Sequence, residues 1–167
     1  MATGNQCGYH RYMKEAPIRQ MVPGDLPGVL EIEEASFTGP WTAAGFLVVM
    51  ERKNVASYVY TRGKKVLAYF FFNFYESDTH IMNLAVRPGY RRQGIALECL
   101  RFAERLARHR RALRITLEVE ESNLPAQLLY RKAGYRATRI LRNYYSASNE
   151  DGYRMVRLLS ETAAAAP

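Results

Sequence analysis

The 167-residue chain is 48% hydrophobic and 24% charged, with a formal net charge of +8. That length sets a single domain able to bury about two-thirds of its unfolded surface, and without an apolar run of about 18 residues the sequence offers no membrane-spanning helix. Cys7 and Cys99 suggest neither a disulfide framework nor a metal cluster, and His10, His80 and His109 lack metal-ligand spacing, so no metal is expected and the histidines read as incidental.

Residues 1–17 lack the apolar centre of a signal peptide and read as a flexible polar leader, which favours the cytoplasm. Ile18 to Val22 predicts a short strand closed by Pro23-Gly24-Asp25. The spacing of Leu26, Val29, Leu30, Ile32, Glu33 and Phe37 predicts a helix that Gly39-Pro40 ends. A second helix is expected from Trp41 to Glu51, with Phe46, Leu47 and Met50 facing inward. Val55 to Thr61 and Val66 to Phe74 are rich in β-branched and aromatic residues and flank Arg62-Gly63-Lys64, the signature of a hairpin. The next strand ends at Val86.

Gly94 to Arg111 is the clearest helix, with Ile95, Ala96, Cys99, Leu100, Ala103, Leu106 and Ala107 on one stripe, so that Cys99 is a core residue and not a nucleophile. Arg101, Arg105, Arg108 and Arg110 lie largely off that stripe, as a solvated face or as a contact for ribosomal RNA. Leu113 to Val119 follows as a strand, with Leu117 and Val119 on one side and Thr116, Glu118 and Glu120 on the other. A helix over Asn123 to Ala133 begins at an N-cap-like Asn123 and stops at Gly134. Tyr135 to Tyr145 and Tyr153 to Leu159 add two strands, and residues 160–167 form a tail expected to fray. The sum is one mixed α/β domain over residues 18–159.

The junction from Asn83 to Ala96 carries the most chemistry. An apolar strand runs through a loop holding Arg87, Arg91, Arg92 and Gly94 into a helix, whose first N–H groups are unpaired and whose macrodipole adds partial positive charge. Such a junction suits a phosphate, although glycine and arginine also precede helices in plain surface turns. The segment fits neither the ATP-type G-x-x-x-x-G-K-[ST] loop nor the three-glycine dinucleotide fingerprint.

Arg91, Gly94 and Ala96 match the Arg/Gln-x-x-Gly-x-Gly/Ala pattern, and the segment resembles the acyl-coenzyme A signature of the GNAT superfamily of N-acetyltransferases. The resemblance covers roughly residues 18 to 159. Leu117-Glu118-Val119, Ser122-Asn123, Leu129-Tyr130, Gly134-Tyr135 and Arg142-Asn143-Tyr144-Tyr145 look like the branch that acetylates protein N-termini, closest to the type acting on the N-terminal alanine of a ribosomal protein. Pro40-Trp41-Thr42 resembles the Pro-Trp-Ser of that type's substrate loop. The resemblance implies a GNAT fold, a mostly antiparallel seven-stranded central sheet flanked by about four helices, with acetyl-CoA as cosubstrate.

It also implies roles for residues. Glu118 would be the general base, with surface glutamate as the alternative. Tyr130 would be the general acid at the coenzyme A sulfur, with half-buried core aromatic as the alternative. Leu84, Ala85 and Val86 would offer backbone N–H groups to the pantetheine arm and the thioester oxygen, at a bulge that interrupts sheet pairing. Arg91, Arg92, Gln93, Gly94, Ile95, Ala96 and Leu97 would bind the pyrophosphate, with Asn123 also touching the cofactor. Trp41, Tyr144 and Tyr145 are candidate walls of an acceptor slot, which Tyr153 could join. Gly152-Tyr153-Arg154 departs from the smaller apolar segment expected there, which bears on substrate choice.

The expected partner is therefore a protein N-terminus, with a monomeric enzyme and a weak RNA or ribosome contact through its basic surface. The other readings are a lysine or small-molecule amine acetyltransferase and a catalytically silent, basic ribosome-binding module.

Overall fold

The computed structural model describes residues 17–159; the predicted leader, but for its last residue, and the predicted tail lie outside them. Seven strands form one sheet: β1 (Ile18–Gln20), β2 (Val55–Arg62), β3 (Lys65–Phe74), β4 (Asp78–Val86), β5 (Arg114–Glu120), β6 (Arg136–Tyr145) and β7 (Glu150–Leu158). Their spatial order is β1-β2-β3-β4-β5-β7-β6. Every neighbouring pair is antiparallel except β4 and β5, which are joined through a crossover helix. The four helices are α1 (Leu26–Glu34), α2 (Ala43–Met50), α3 (Ile95–His109) and α4 (Leu124–Lys132).

Side-chain alternation along β3 divides the core in two. Phe70 and Phe72 pack with Ile95, Cys99, Leu100 and Ala103 of α3, and with Leu117, Tyr130 and Met155, on one face of the sheet. Tyr69 and Phe71 pack with Val29 and Ile32 of α1 and Phe46 and Val49 of α2 on the other. Cys99 is 1% exposed and burial drives its thiol pKa upward, so it is the inert core residue its helical position predicts.

Three expectations change. Helix α2 starts at Ala43, capped by Thr42, whose Oγ1 accepts from Gly45 N at 3.1 Å. Trp41 therefore precedes the helix, and that phase buries Val49 while Leu47 is exposed. Strand β7 begins at Glu150, three residues earlier than its apolar run suggests, because its first residues pair with the polar end of β6. The bulge in β4 lies at Met82 and not between Leu84 and Val86: Asn83 faces Phe71 and Ile81 faces Phe72, which leaves Met82 as the extra residue.

Candidate active site

The parallel pairing of β4 with β5 covers only Asp78 to His80 against Arg114 to Thr116. Beyond His80 the two strands separate, and a cleft of about 720 Å³ opens between them, lined by Ile81 to Val86 on one side and Leu117 to Glu120 on the other. On its closed edge β4 still pairs with β3, Ala85 opposite Tyr69, and Arg87 N donates to Leu67 O at 2.8 Å. By strand alternation the N–H groups of Leu84 and Val86 then point into the cleft. They offer donors to an extended ligand although the bulge lies elsewhere, because it is the separation of β4 from β5 that frees them.

At the mouth of the cleft, Gly94 caps α3 with φ +85°, and a β-carbon there would meet nothing within 4 Å. The first backbone hydrogen bond of the helix runs from Glu98 N to Gly94 O, so the N–H groups of Ile95, Ala96 and Leu97 precede the intrahelical ladder. Gly94, Ile95, Ala96 and Leu97 all line the cleft, as do Arg91 and Arg92. The two arginines are placed differently. Arg91 braces the loop, its Nε on Val86 O at 3.0 Å and its Nη2 on Ser36 Oγ at 2.9 Å. Arg92, at φ 62°, is exposed, and its guanidinium has no partner among the described residues. Gln93 turns back to Gly89 O at 3.4 Å and is not part of the lining. This open, donor-rich helix start beside a slot of free strand N–H groups suits a pyrophosphate joined to an extended arm.

Glu118 and Tyr130 both line the same cleft. The Glu118 side chain is 7% exposed, with Oε2 2.6 Å from His80 Nε2 and Oε1 accepting from Arg154 Nε at 2.9 Å. Burial pushes its pKa upward, but His80 and then Arg154 outweigh burial and hold the carboxyl below its ordinary value. Thus Glu118 is no surface glutamate. Tyr130 is buried among apolar neighbours, its ring 5.9 Å from that of Tyr135, and burial pushes its phenol up to about 12. Its hydroxyl makes no hydrogen bond with the described residues. Asn123 is the α4 N-cap, its Oδ1 accepting from Ala126 N at 3.2 Å, and it also lines the cleft.

Opposite these groups, buried Glu33 at the end of α1 organises the other wall. Its Oε1 accepts from Trp41 N at 2.8 Å, while Oε2 accepts from Tyr69 Oη–H and from Asn83 Nδ2 at 3.3 Å. Trp41 is held against Phe46 and Phe71, with ring centroids 5.4 and 6.1 Å apart. Tyr145 lines the cleft and meets Tyr144 edge-on at 5.1 Å. Tyr153 does not join them. It faces a groove on the α4 side of the sheet with Gln127, Arg131 and Met155, and its hydroxyl donates to Glu121 Oε1 at 3.1 Å. Alternation explains this: Tyr153 shares a face with buried Met155, and Arg154 shares one with Glu118.

Sequence reasoning missed Glu33, Arg154 and His80 as members of the site. Glu33 reads as one more position of an amphipathic helix, and His80 as a solitary histidine. The pairing that brings His80 beside Glu118 joins residues 38 apart in the chain. Among the described residues no cluster of three or more His, Cys, Asp or Glu side chains could hold a metal ion.

Residues 26–135 match the model of the acetyltransferase (GNAT) family. A Bacillus subtilis protein provisionally named a ribosomal protein bS18-alanine N-acetyltransferase is 35% identical over 148 residues, spanning 88% of this chain and 98% of that protein. The crystal structure of the ribosomal-protein-S18-alanine N-acetyltransferase from Escherichia coli superposes with a TM-score of 0.79 at 26% identity, over 90% of this chain and 97% of that one. Ard1 from Thermoplasma volcanium superposes with a TM-score of 0.78 at 27% identity, over 86% and 97%.

Proposed function

The chain belongs to the GNAT family of acetyltransferases, and from that membership we propose that it moves an acetyl group from acetyl-CoA to the α-amine of a protein, a ribosomal protein with N-terminal alanine. The single observation that carries the reading is the convergence of Glu118, Tyr130 and the open start of α3 on one cleft between separated strands. Transfer is direct, within a ternary complex, because the cleft brings an acid, a base and amide donors together, and buried Cys99 is no acyl carrier.

Leu84 and Val86 N–H hold the pantetheine arm and the thioester oxygen, while Gly94 to Leu97, with Arg92, hold the pyrophosphate. Arg91 contributes by fixing the loop. Acetyl-CoA, when bound, supplies the activated acyl group. Glu118 takes a proton from the acceptor's ammonium, and Tyr130 gives one to the departing sulfur. A free α-amine, with a pKa near 8, suits a weak base such as Glu118 better than lysine near 10. Trp41, Tyr144 and Tyr145 form the walls between which the first acceptor residues lie, with the Trp41 backbone held by Glu33.

The enzyme works as a monomer in the cytoplasm, with no metal. Exposed Arg101 and Arg105 on α3 support a weak, salt-sensitive contact with ribosomal RNA. Incubation with acetyl-CoA and peptides that vary in their first two residues, followed by mass spectrometry, tests the proposal. Label on the α-amine of alanine-initiated peptides supports it. Label confined to lysine side chains, or RNA binding without any acetyl transfer, refutes it.

A further inference from the structure

The geometry points to His80 as the group that carries the acceptor's proton from Glu118 to solvent, an inference that rests on the acetyl transfer proposed above. As the C–N bond forms and the thioester C–S bond breaks, a cationic amine becomes a neutral amide and gives up two protons. One ends on the departing sulfur; the other must leave the site in every turnover. Glu118 receives it but cannot release it directly, since the carboxylate is 7% exposed and its open side faces the cleft that the acceptor fills.

His80 offers the way out. Its Nε2 is 2.6 Å from Glu118 Oε2, and its side chain is 23% exposed. Once Glu118 is protonated, the carboxylic acid O–H can pass its proton to Nε2 of a neutral imidazole. That restores the carboxylate and makes an imidazolium, which loses the Nδ1 proton to water or a buffer base; exchange of the remaining proton with water then returns the ring to its Nδ1–H form, with Nε2 open to accept again.

The carboxylates nearest the ring each hold an arginine. Arg154 Nε on Oε1 gives Glu118 a cationic partner besides His80. Asn73 stands across from His80 on β3, and Thr116 is its register neighbour on β5. Asp78, one step back along the same face, is neutralised by a two-pronged contact with Arg114 at 2.8 Å. Tyr144 lies beyond Glu118, close enough for that carboxylate to raise its pKa after burial has done so.

His80 acts through Glu118, so its test needs readouts that packing alone would not move. His80→Gln keeps a hydrogen-bonding side chain beside Glu118 but cannot relay a proton. We expect kcat to fall about tenfold or more at pH 7, with the KM for acetyl-CoA unchanged, and to rise again with buffer-base concentration. In His80→Ala, added imidazole should restore turnover in a saturable manner with a pH profile that follows imidazole. Coenzyme A binding by calorimetry establishes that each variant is folded. Wild-type kcat and pH profile in His80→Gln, or loss in both variants with no response to imidazole or buffer, overturns the relay alone. A wild-type protein that labels no α-amine removes the acetyl-transfer reading, and the relay with it.

Discussion

Gly152 of β7 lies directly beneath Tyr145: a β-carbon built on Gly152 would stand 2.9 Å from the ring carbon Cε2 of Tyr145 and 3.4 Å from Cδ1 of Tyr144. The missing side chain is what lets both rings settle over the strand, and Tyr145 thereby reaches the cleft. Gly152→Ala should push Tyr145 outward at a cost of about 1–3 kcal/mol, raising the KM for a peptide acceptor and leaving the Kd of coenzyme A unchanged. Steady-state kinetics beside calorimetry decides this, and an unaltered peptide KM would separate the tyrosine pair from acceptor binding.

At the other end of the cleft the constraint is on the backbone. Gly94 adopts φ +85° in open space, so Gly94→Ala meets no clash but must hold a left-handed conformation, at about 1–2 kcal/mol. The helix start is the proposed pyrophosphate seat, so the substitution should lower the melting temperature and weaken coenzyme A binding together. Gly94→Asn, better tolerated in that conformation, should recover part of both losses.

Glu33 predicts a different pattern. It is 1% exposed and accepts hydrogen bonds from Trp41 N, Tyr69 and Asn83. Glu33→Ala leaves buried donors unpaired and should cost about 2–4 kcal/mol. It should also release the Trp41 segment, so that the peptide KM rises more than the acetyl-CoA KM. Equal changes in both would mean that Glu33 only supports the core.

How much of this was legible beforehand follows from the range of the interactions. Helix α3 and its Gly94 start are local, and the stripe from Ile95 to Ala107 could be read directly. Asn123 and Gly134 marked the two ends of α4 for the same reason. The phase of α2 was misread because Leu47 and Val49 are equally apolar, and only the Thr42 cap fixes which one turns inward. The site had a double character. Glu118 and Tyr130 were recognisable by family pattern, whereas their environment was not, since strand pairing brings His80 and Arg154 onto Glu118 and Glu33 reaches the opposite wall from the end of α1. Whether Tyr153 joins the acceptor slot stayed open in the sequence, because the odd–even phase of β7 depends on its partner strand, and that pairing turns Tyr153 to the face of Met155.

Away from the cleft, Asp25 gives a prediction about acid stability. Its carboxylate receives both Arg19 Nη atoms at 2.7 Å and Val22 N at 2.9 Å. The Arg19 hydrogen bonds, against the opposing effect of burial and helped by Val22, hold its pKa below the usual carboxylate value. A carboxyl depressed in the folded state stabilises above its unfolded pKa, near 4, and loses that contribution as pH falls through the folded value. Asp25→Asn should therefore melt lower than wild type at pH 7, and the gap should narrow below about pH 4. A gap independent of pH would mean that the carboxylate charge contributes nothing there.

Tyr130 separates chemistry from stability more cleanly than any other residue of the cleft. Its hydroxyl has no hydrogen-bond partner among the described residues, while its ring is packed in the larger core cluster. Tyr130→Phe keeps the ring and removes only the hydroxyl, so the melting temperature and coenzyme A affinity should hardly move. Burial raises the phenol to about 12, which keeps it protonated through the neutral range and ready to donate to a departing thiolate. Turnover should then fall by about 10- to 10⁴-fold, with no alkaline limb from this group below about pH 10. Glu118→Gln should lower turnover over a similar range, but with a stability cost, because it removes the negative charge from the contacts to His80 and Arg154. Wild-type rates in Tyr130→Phe would leave the hydroxyl without a role, and the departing sulfur would have to take its proton from elsewhere in the cleft.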